Sequence, residues 1–460
     1  MQTDYLVIGA GAMGLAFADE LFTRTDAHIT LVDRRHAPGG HWNDSYSFVR
    51  LHQPSIFYGV ESKELAEYHI DESGPNQGFL NLAEGPTILA YFHSLVRERL
   101  LPSGRVRFMP LCEVEPDGRI RSLLSGDRHA ITVRKKVVDA SYLTNSVPLT
   151  HTRKFEVGPG VACIPPNDLP RLAPHHERYT VLGAGKTGVD TCCWLLAHGA
   201  PADSIRWVVP RDSWFMNRAT TQPGPEFRAR TFGTFAAAHE ALADATSARD
   251  YAHRMEACGA WLRLDPEQEP EMFHAAAVSE GELRELRRIR DIVRLGRARS
   301  LEANRLVLDR GEFEAHAGTL YVDCTASALP RQPTVPVFAG NRITLQLVRI
   351  PQLPFSAALI AFLEATFRSD DEKNRFVTPL RLSDTVAQHL AQLVSDGMNR
   401  SACARHPAVR DWIGASRTDG YSRVVRDWPD APGKAAIVDR IRAASKRAAQ
   451  NLPALLATLE

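Results

Sequence analysis

The sequence predicts an α/β protein: two copies of one strand–turn–helix–strand unit, with a helical insertion in the second copy and a helical C-terminal region. Three observations predict it. Asp4-Tyr5-Leu6-Val7-Ile8 is an apolar run ending in Gly9-Ala10-Gly11-Ala12-Met13-Gly14; an amphipathic stretch from Leu15 to Phe22 follows, then a second apolar run, Ile29 to Val32, closed by Asp33. Tyr179-Thr180-Val181-Leu182 runs in the same way into Gly183-Ala184-Gly185-Lys186-Thr187-Gly188, with a helical stretch from Val189 to His198 and a strand from Ile205 to Val209. The closing segments repeat as well, Lys136 to Ser141 and Leu320 to Ser327.

Each unit has the pattern of a dinucleotide site. Gly9 permits a tight turn, Gly11 the close approach of a pyrophosphate, and Gly14 close contact between helix and strand, with Ala12 and Met13 opening the helix. Asp33 lies 19 residues after Gly14, where a carboxylate meets ribose hydroxyls, and Arg34 adjoins it. In the second unit Gly183, Gly185, Lys186, Thr187 and Gly188 take the same places, but the strand ends in Val209-Pro210-Arg211 without an acid. An arginine there suits the 2′-phosphate of NADP; Asp212 could instead meet an unphosphorylated ribose, and Arg206 and Arg218 are further candidates for the phosphate contact.

Between the units, Thr144 to Arg178 holds Pro148, Pro159, Pro165, Pro166, Pro170 and Pro174 and reads as a connector wrapping between domains. From about Gly224 to Arg297 the chain is rich in Ala, Glu, Arg and Leu and reads as helices, Glu280 to Arg290 among them, placed where a substrate lid could lie. From about Asp370 the chain is again helical. Its last stretch, Ile437 to Leu452, is amphipathic and should dock on the body, with Pro453 ending or kinking it. The expected division is 1–176 for the first part of one domain, 177–317 for an inserted second, and 318–460 for the return to the first.

Composition narrows the classes. Lys+Arg 55 against Asp+Glu 54 argues against a protein that tracks nucleic-acid phosphates. With 44% hydrophobic and 24% charged residues the chain is an ordinary globular one. The most apolar stretch, Ile350 to Phe367, is broken by Pro351, Pro354 and Glu364 and is not expected to span a bilayer. A strand pattern begins almost at once, leaving no room for a leader peptide, and the seven cysteines form no disulfide framework, so a cytoplasmic location is expected. Adjacent Cys192 and Cys193 read as buried packing thiols, and no histidine spacing suggests a metal site. Gly185-Lys186-Thr187 is not a nucleotide-triphosphate loop, because the glycine such a loop needs falls at Thr180, inside the strand.

Two units, the first with an acid and the second with an arginine, resemble the two-dinucleotide flavoprotein fold. After Asp33 comes Gly39-Gly40-His41-Trp42, similar to the Gly-Gly-x-Trp of the flavin-containing and Baeyer–Villiger monooxygenases. Tyr46 to Ser55 resembles their segment beneath the flavin, with Arg50 near a typical arginine of the Baeyer–Villiger pattern and His52 near that family's aspartate. The resemblance covers residues 1 to roughly 365. It departs from the family in lacking the FxGxxxHxxxW fingerprint, for which the connector offers only Phe155 to Gly160, and in replacing the usual Gly-Asp by Val337-Phe338-Ala339-Gly340-Asn341.

The resemblance implies FAD on the first unit and NADPH on the second, with Gly40, His41 and Trp42 at the FAD site. It further implies hydride transfer to the flavin, reaction with O2 to a C4a-(hydro)peroxide, and oxygenation of a small organic substrate. Arg50, His52 and Gln53 are the candidate catalytic residues, His52 as hydrogen-bond donor or proton acceptor or as packing beneath the cofactor. The alternative activity is an NAD(P)H-dependent flavin oxidoreductase or amine oxidase without oxygen insertion; a non-catalytic binder retaining the fold is the third reading. Neither nucleic acid nor membrane is an expected partner.

Overall fold

Six strands form the first sheet of the computed structural model, which describes residues 1–143, 145–327 and 332–457. Their order is Phe338–Ala339, Arg342–Thr344, Thr132–Asp139, Gln2–Ile8, Ile29–Val32 and Val106–Met109. All pairs are parallel except the terminal hairpin of Phe338–Ala339 with Arg342–Thr344. Parallel strands covered on both faces are apolar throughout, which is why Leu6, Val7, Leu31 and Val32 are all buried. Helix Ala12–Arg24 packs against helix Leu353–Thr366, which is buried without a break from Pro354 to Leu363. A helix apolar on every side belongs in a core. Its Glu364 closes the end by accepting from Lys136 (3.2 Å) and Lys373 (2.6 Å). Among the described residues, no helix is long and apolar enough to cross a membrane.

The second sheet repeats the first. Its five parallel strands run Cys163–Ile164, Leu320–Asp323, Tyr179–Leu182, Ile205–Val208 and Asp291–Val293. Ile8 pairs with Val32 on one side and Asp139 on the other; Leu182 pairs with Val208 and Asp323 in the same way. Helices Ala12–Arg24 and Lys186–Ala197 follow the two turns.

Two expectations need correction. The segment from Gly224 to Arg297 is not all helix: Arg228–Asp244, Ala248–Ala257 and Glu280–Leu286 are helical, but Met272–Val278 is a strand paired with Ser213–Asn217. Its alanines suit a helix locally, yet pairing in the sheet overrides that preference, and the helix starts only at a Ser279–Glu282 capping box. Pro453 lies inside helix Pro432–Ala457 rather than ending it. Leu452 and Leu455 are buried around it, and Asn451 donates to the carbonyls of Leu242 and Ala245, holding that turn against helix Arg228–Asp244. The connector also contributes strands, Glu156–Val157 beside Ala298–Leu301 and Cys163–Ile164 beside Leu320–Asp323. Thr144, its expected first residue, and 328–331 and 458–460 of the expected last segment lie outside the described residues.

Candidate functional site

Both turns are built around positions where a side chain has no room. A Cβ on Gly14 would stand 2.0 Å from the Gly9 oxygen, and one on Gly188 would stand 2.1 Å from the Gly183 oxygen. Gly9 and Gly183 turn the chain at φ 106° and 110°, in the left-handed region. The first bonds within the two helices are Leu15 N–H to the Gly11 carbonyl and Val189 N–H to the Gly185 carbonyl. The N–H groups of Ala12, Met13 and Gly14, and of Lys186, Thr187 and Gly188, precede those bonds and form two equivalent anion-binding ends. At the first end a Cβ on Gly40 would meet the Gly11 Cα at 2.8 Å, so the Gly39–Gly40 loop lies directly against the turn. Gly39 N–H donates to the Ala10 carbonyl and fixes it there.

The acid of the first unit is buried. Asp33 Oδ2 accepts from Ala10 N–H (2.7 Å) and Oδ1 from Arg35 N–H (2.8 Å), which leaves one lone-pair direction on each oxygen. Arg34 is exposed, with Glu113 3.6 Å away. The residue equivalent to Asp33 is Val209, because Gly9 donates to the Val32 carbonyl and Gly183 to the Val208 carbonyl. The second unit therefore carries an apolar side chain at the carboxylate position. Arg211, two residues on, is exposed at the cleft wall. Asp212 does not face it as an open acid: both its oxygens are taken by Arg294 (2.8 and 3.2 Å). Arg206 lies over the Phe313 ring and pairs with Asp291, and Arg218 is fully buried on Glu282. Both guanidinium groups thus already have carboxylate partners.

The aspartates that close the two sheets form matching turns. Asp139 Oδ1 accepts from Ser141 N–H (3.0 Å) and Oγ (2.7 Å), and Asp323 Oδ1 from Thr325 N–H (3.0 Å) and Oγ1 (2.7 Å). Their second oxygens differ: Asp139 takes Arg342 (2.5 Å), and Asp323 takes His151 (2.9 Å) and Arg153 (3.3 Å).

A cleft of about 3220 Å³ gathers His41, Trp42, Arg50, His52, Gln53, Gly183, Gly185, Lys186, Thr187 and Arg211 on one wall system. Gly9, Gly11, Ala12, Met13, Gly14, Asp33, Arg34 and Gly40 lie outside that wall, as does Gly188. Trp42 is buried, donating from Nε1 to the Tyr58 hydroxyl (2.9 Å), and His41 stacks on it. Burial, aided by the Arg35 charge, pulls the His41 pKa down to about 4. Arg50 pairs with Glu84 at 2.6 Å, with both side chains about half exposed. His52 is held neutral: burial, then the charges of Lys186 and Arg218, push its pKa well below the usual value.

Asp190 and Glu282 are the residues of this site that the sequence does not single out. The Tyr46 hydroxyl donates to Asp190 Oδ2 (2.7 Å), and Lys186 pairs with Asp190 and lies 3.9 Å from Glu282, itself 2.8 Å from Arg218. Burial alone would lower the Lys186 pKa, but Asp190 and Glu282 overcome it and hold the ammonium charged. The i,i+4 spacing of Lys186 and Asp190 is a signal the sequence carries; the contacts between segments distant in sequence leave none.

The profile of the NAD(P)-binding Rossmann-like domain matches residues 7–62. The chain is 45% identical over 417 residues to the uncharacterized protein Rv2000 of Mycobacterium tuberculosis strain H37Rv, covering 91% of this chain and 77% of that one. The uncharacterized protein Mb2023 of Mycobacterium bovis matches to the same extent, 45% over 417 residues with the same 91% and 77%. Among solved structures, cyclohexanone monooxygenase bound to ε-caprolactone in its Loose conformation superposes with a TM-score of 0.52 at 13% identity, over 97% of this chain and 99% of that one. Its open form gives 0.50 at 13% identity, over 97% and 98%. At that identity the likeness is one of fold.

Proposed function

We propose that this chain, which belongs to one family with the mycobacterial protein Rv2000, is an FAD-dependent, NADPH-driven monooxygenase acting on a small organic substrate. The observation that carries this reading is the pair of matched glycine turns, each with three helix N–H groups facing outward, diverging at Asp33 and Val209. The first turn would hold the FAD pyrophosphate on the N–H groups of Ala12, Met13 and Gly14, and the remaining lone pairs of Asp33 would meet the adenosine ribose. The second would hold NADPH on Lys186, Thr187 and Gly188, with Arg211 on the 2′-phosphate; Asp212 does not compete as an open acid, since Arg294 pairs with both its oxygens. The domain reading goes with it: the FAD domain is made of 1–176 and 318–460, with 177–317 inserted. Arg342–Thr344 beside Thr132–Asp139 in the first sheet supports that division.

Bound FAD supplies hydride acceptance from NADPH and activation of O2. The chain's own part is positioning. His52, neutral and in the cleft, presents one donor and one acceptor nitrogen to a substrate, and Gln53 lies beside it. Lys186, on the cleft wall, stays charged because Asp190 and Glu282 hold it. Arg50 is restrained by Glu84 at the rim.

The test is spectroscopic. The purified protein should show a flavin absorbance band that NADPH bleaches without air. On readmission of oxygen with a ketone or thioether present, NADPH use should match oxygenated product. Matching hydrogen peroxide instead would make it an oxidase, and a colourless protein would overturn the reading.

A further inference from the structure

The cleft is much larger than a substrate pocket of roughly 300–1,000 Å³, and its lining extends from the second turn to helices Arg228–Asp244 and Pro432–Ala457. Phe57, four residues beyond Gln53, belongs to a run of aromatic rings in that lining. Phe57 lies 6.0 Å from Tyr421, Tyr421 6.4 Å from Phe232, and Phe232 5.4 Å from Trp428. The Tyr421 hydroxyl is tied to the Thr221 carbonyl (3.0 Å), so its polar end is already satisfied.

Helix Pro432–Ala457 supplies a second part of the lining. That helix packs on Arg228–Asp244 through Ala444, Ala448, Leu452 and Leu455, all buried. Ile437, Val438 and Ile441 continue the same stripe toward the start of the helix, where they are only half-buried and line the cleft. Three large aliphatic side chains left partly open and four aromatic rings thus line an apolar slot of the same cleft. It is continuous with the position of His52 and Gln53.

We infer that the slot lined by the Phe57–Tyr421–Phe232–Trp428 run and by Ile437, Val438 and Ile441 binds the hydrocarbon body of the substrate. The substrate class is an extended apolar molecule, longer than a single ring, whose small polar reacting group is left near His52 and Gln53. Each methylene taken from water contributes about 0.8 kcal/mol, so affinity rises with chain length until the slot is filled. The inference rests on the oxygenase reading only for which end of the molecule reacts; binding of the body is independent of it.

Binding is measured first without turnover, by isothermal titration of the purified holoprotein with 1-dodecanol and 1-butanol. Dodecanol should bind and butanol should not. Ile441→Asn and, separately, Phe235→Ser should weaken dodecanol about tenfold or more while leaving flavin content and the unfolding midpoint near wild type. Phe235 lines the same wall, 5.0 Å from Tyr421. Leu124→Asn, at a 79% exposed site off the cleft wall, should change nothing. Equal binding of the two alcohols, or dodecanol affinity unchanged in both slot variants, overturns the inference. Turnover of 2-butanone and 2-dodecanone separates it from the functional reading. Dodecanol binding without oxygenation of either ketone would sink the oxygenase and keep the slot. Oxygenation of both with equal kcat/KM would keep the oxygenase and sink the slot.

Discussion

Tyr46 and Asp190, 144 residues apart, are joined by a 2.7 Å hydrogen bond from phenol to carboxylate. The bond fastens the segment after Gly39–Gly40 to the first helix of the second unit, and Lys186 grips the same carboxylate from the turn itself. It thereby sets where the second turn stands relative to His52. Hydride transfer depends steeply on such placement.

Tyr46→Phe removes that hydrogen bond while keeping the ring, which packs on Phe48 with centroids 4.7 Å apart. A bond to a charged group is worth about 1.5–3 kcal/mol, so flavin reduction by NADPH should slow roughly tenfold or more. Flavin content should not change. Stopped-flow bleaching of the flavin band measures it; an unchanged rate would show that the two units are held by other contacts.

Gly11→Val should fold but purify without flavin. A Cβ there meets the Gly40 Cα at 3.5 Å, an ordinary contact, while the branches occupy the space a pyrophosphate needs. Absorbance ratios at the flavin and protein bands decide the matter. Full flavin in this variant would mean that the cofactor is held elsewhere.

If Arg211 holds the 2′-phosphate as proposed, Arg211→Ala should weaken NADPH by about 10- to 150-fold and leave NADH nearly untouched. Reduction rates with each nucleotide, titrated in both proteins, give the comparison. Equal losses would make Arg211 a structural residue.

Acid should loosen the protein through His389. The ring packs among Phe273 (4.5 Å), Trp261 (5.8 Å) and Tyr251 (6.5 Å), and burial pulls its pKa down to about 4 despite Gln392 and Asp396. The unfolded chain takes the proton near pH 6.5, so between those values it binds more protons than the native state. The contribution is intact above about pH 6.5 and is lost as pH falls toward 4. Between pH 7 and 5 that amounts to about 2 kcal/mol. Unfolding midpoints of wild type and His389→Phe across this range should diverge, with the variant showing the shallower fall.

How much the residues disclose depends on how local the information is. Each strand–turn–helix–strand unit is specified within some thirty neighbouring positions, and Gly14 and Gly188 are needed whatever the rest of the chain does. The helix at Leu353–Thr366 was legible as apolar but not as core, because only packing on Ala12–Arg24 distinguishes the two. Met272–Val278 misleads because three alanines in sequence favour a helix until a strand at Ser213–Asn217 is beside them. Arg206 and Arg218 looked available for phosphate, since nothing near them in sequence reveals Asp291 or Glu282 as partners. Tyr46 was quoted within a motif, yet Asp190, its partner, lies in another unit altogether.

The closing aspartates give the molecule an internal control. Asp139 and Asp323 brace the same kind of turn with the same two bonds, and differ only in the neighbour on the outer oxygen: Arg342 from the last third of the chain, or His151 and Arg153 from the connector. Replacing either by asparagine deletes one charge from one geometry. What the two replacements share measures the turn itself, and what separates them measures how firmly each half is laced to the segment that crosses over it. A duplicated architecture thus carries, in one polypeptide, both arms of a comparison that otherwise needs two proteins.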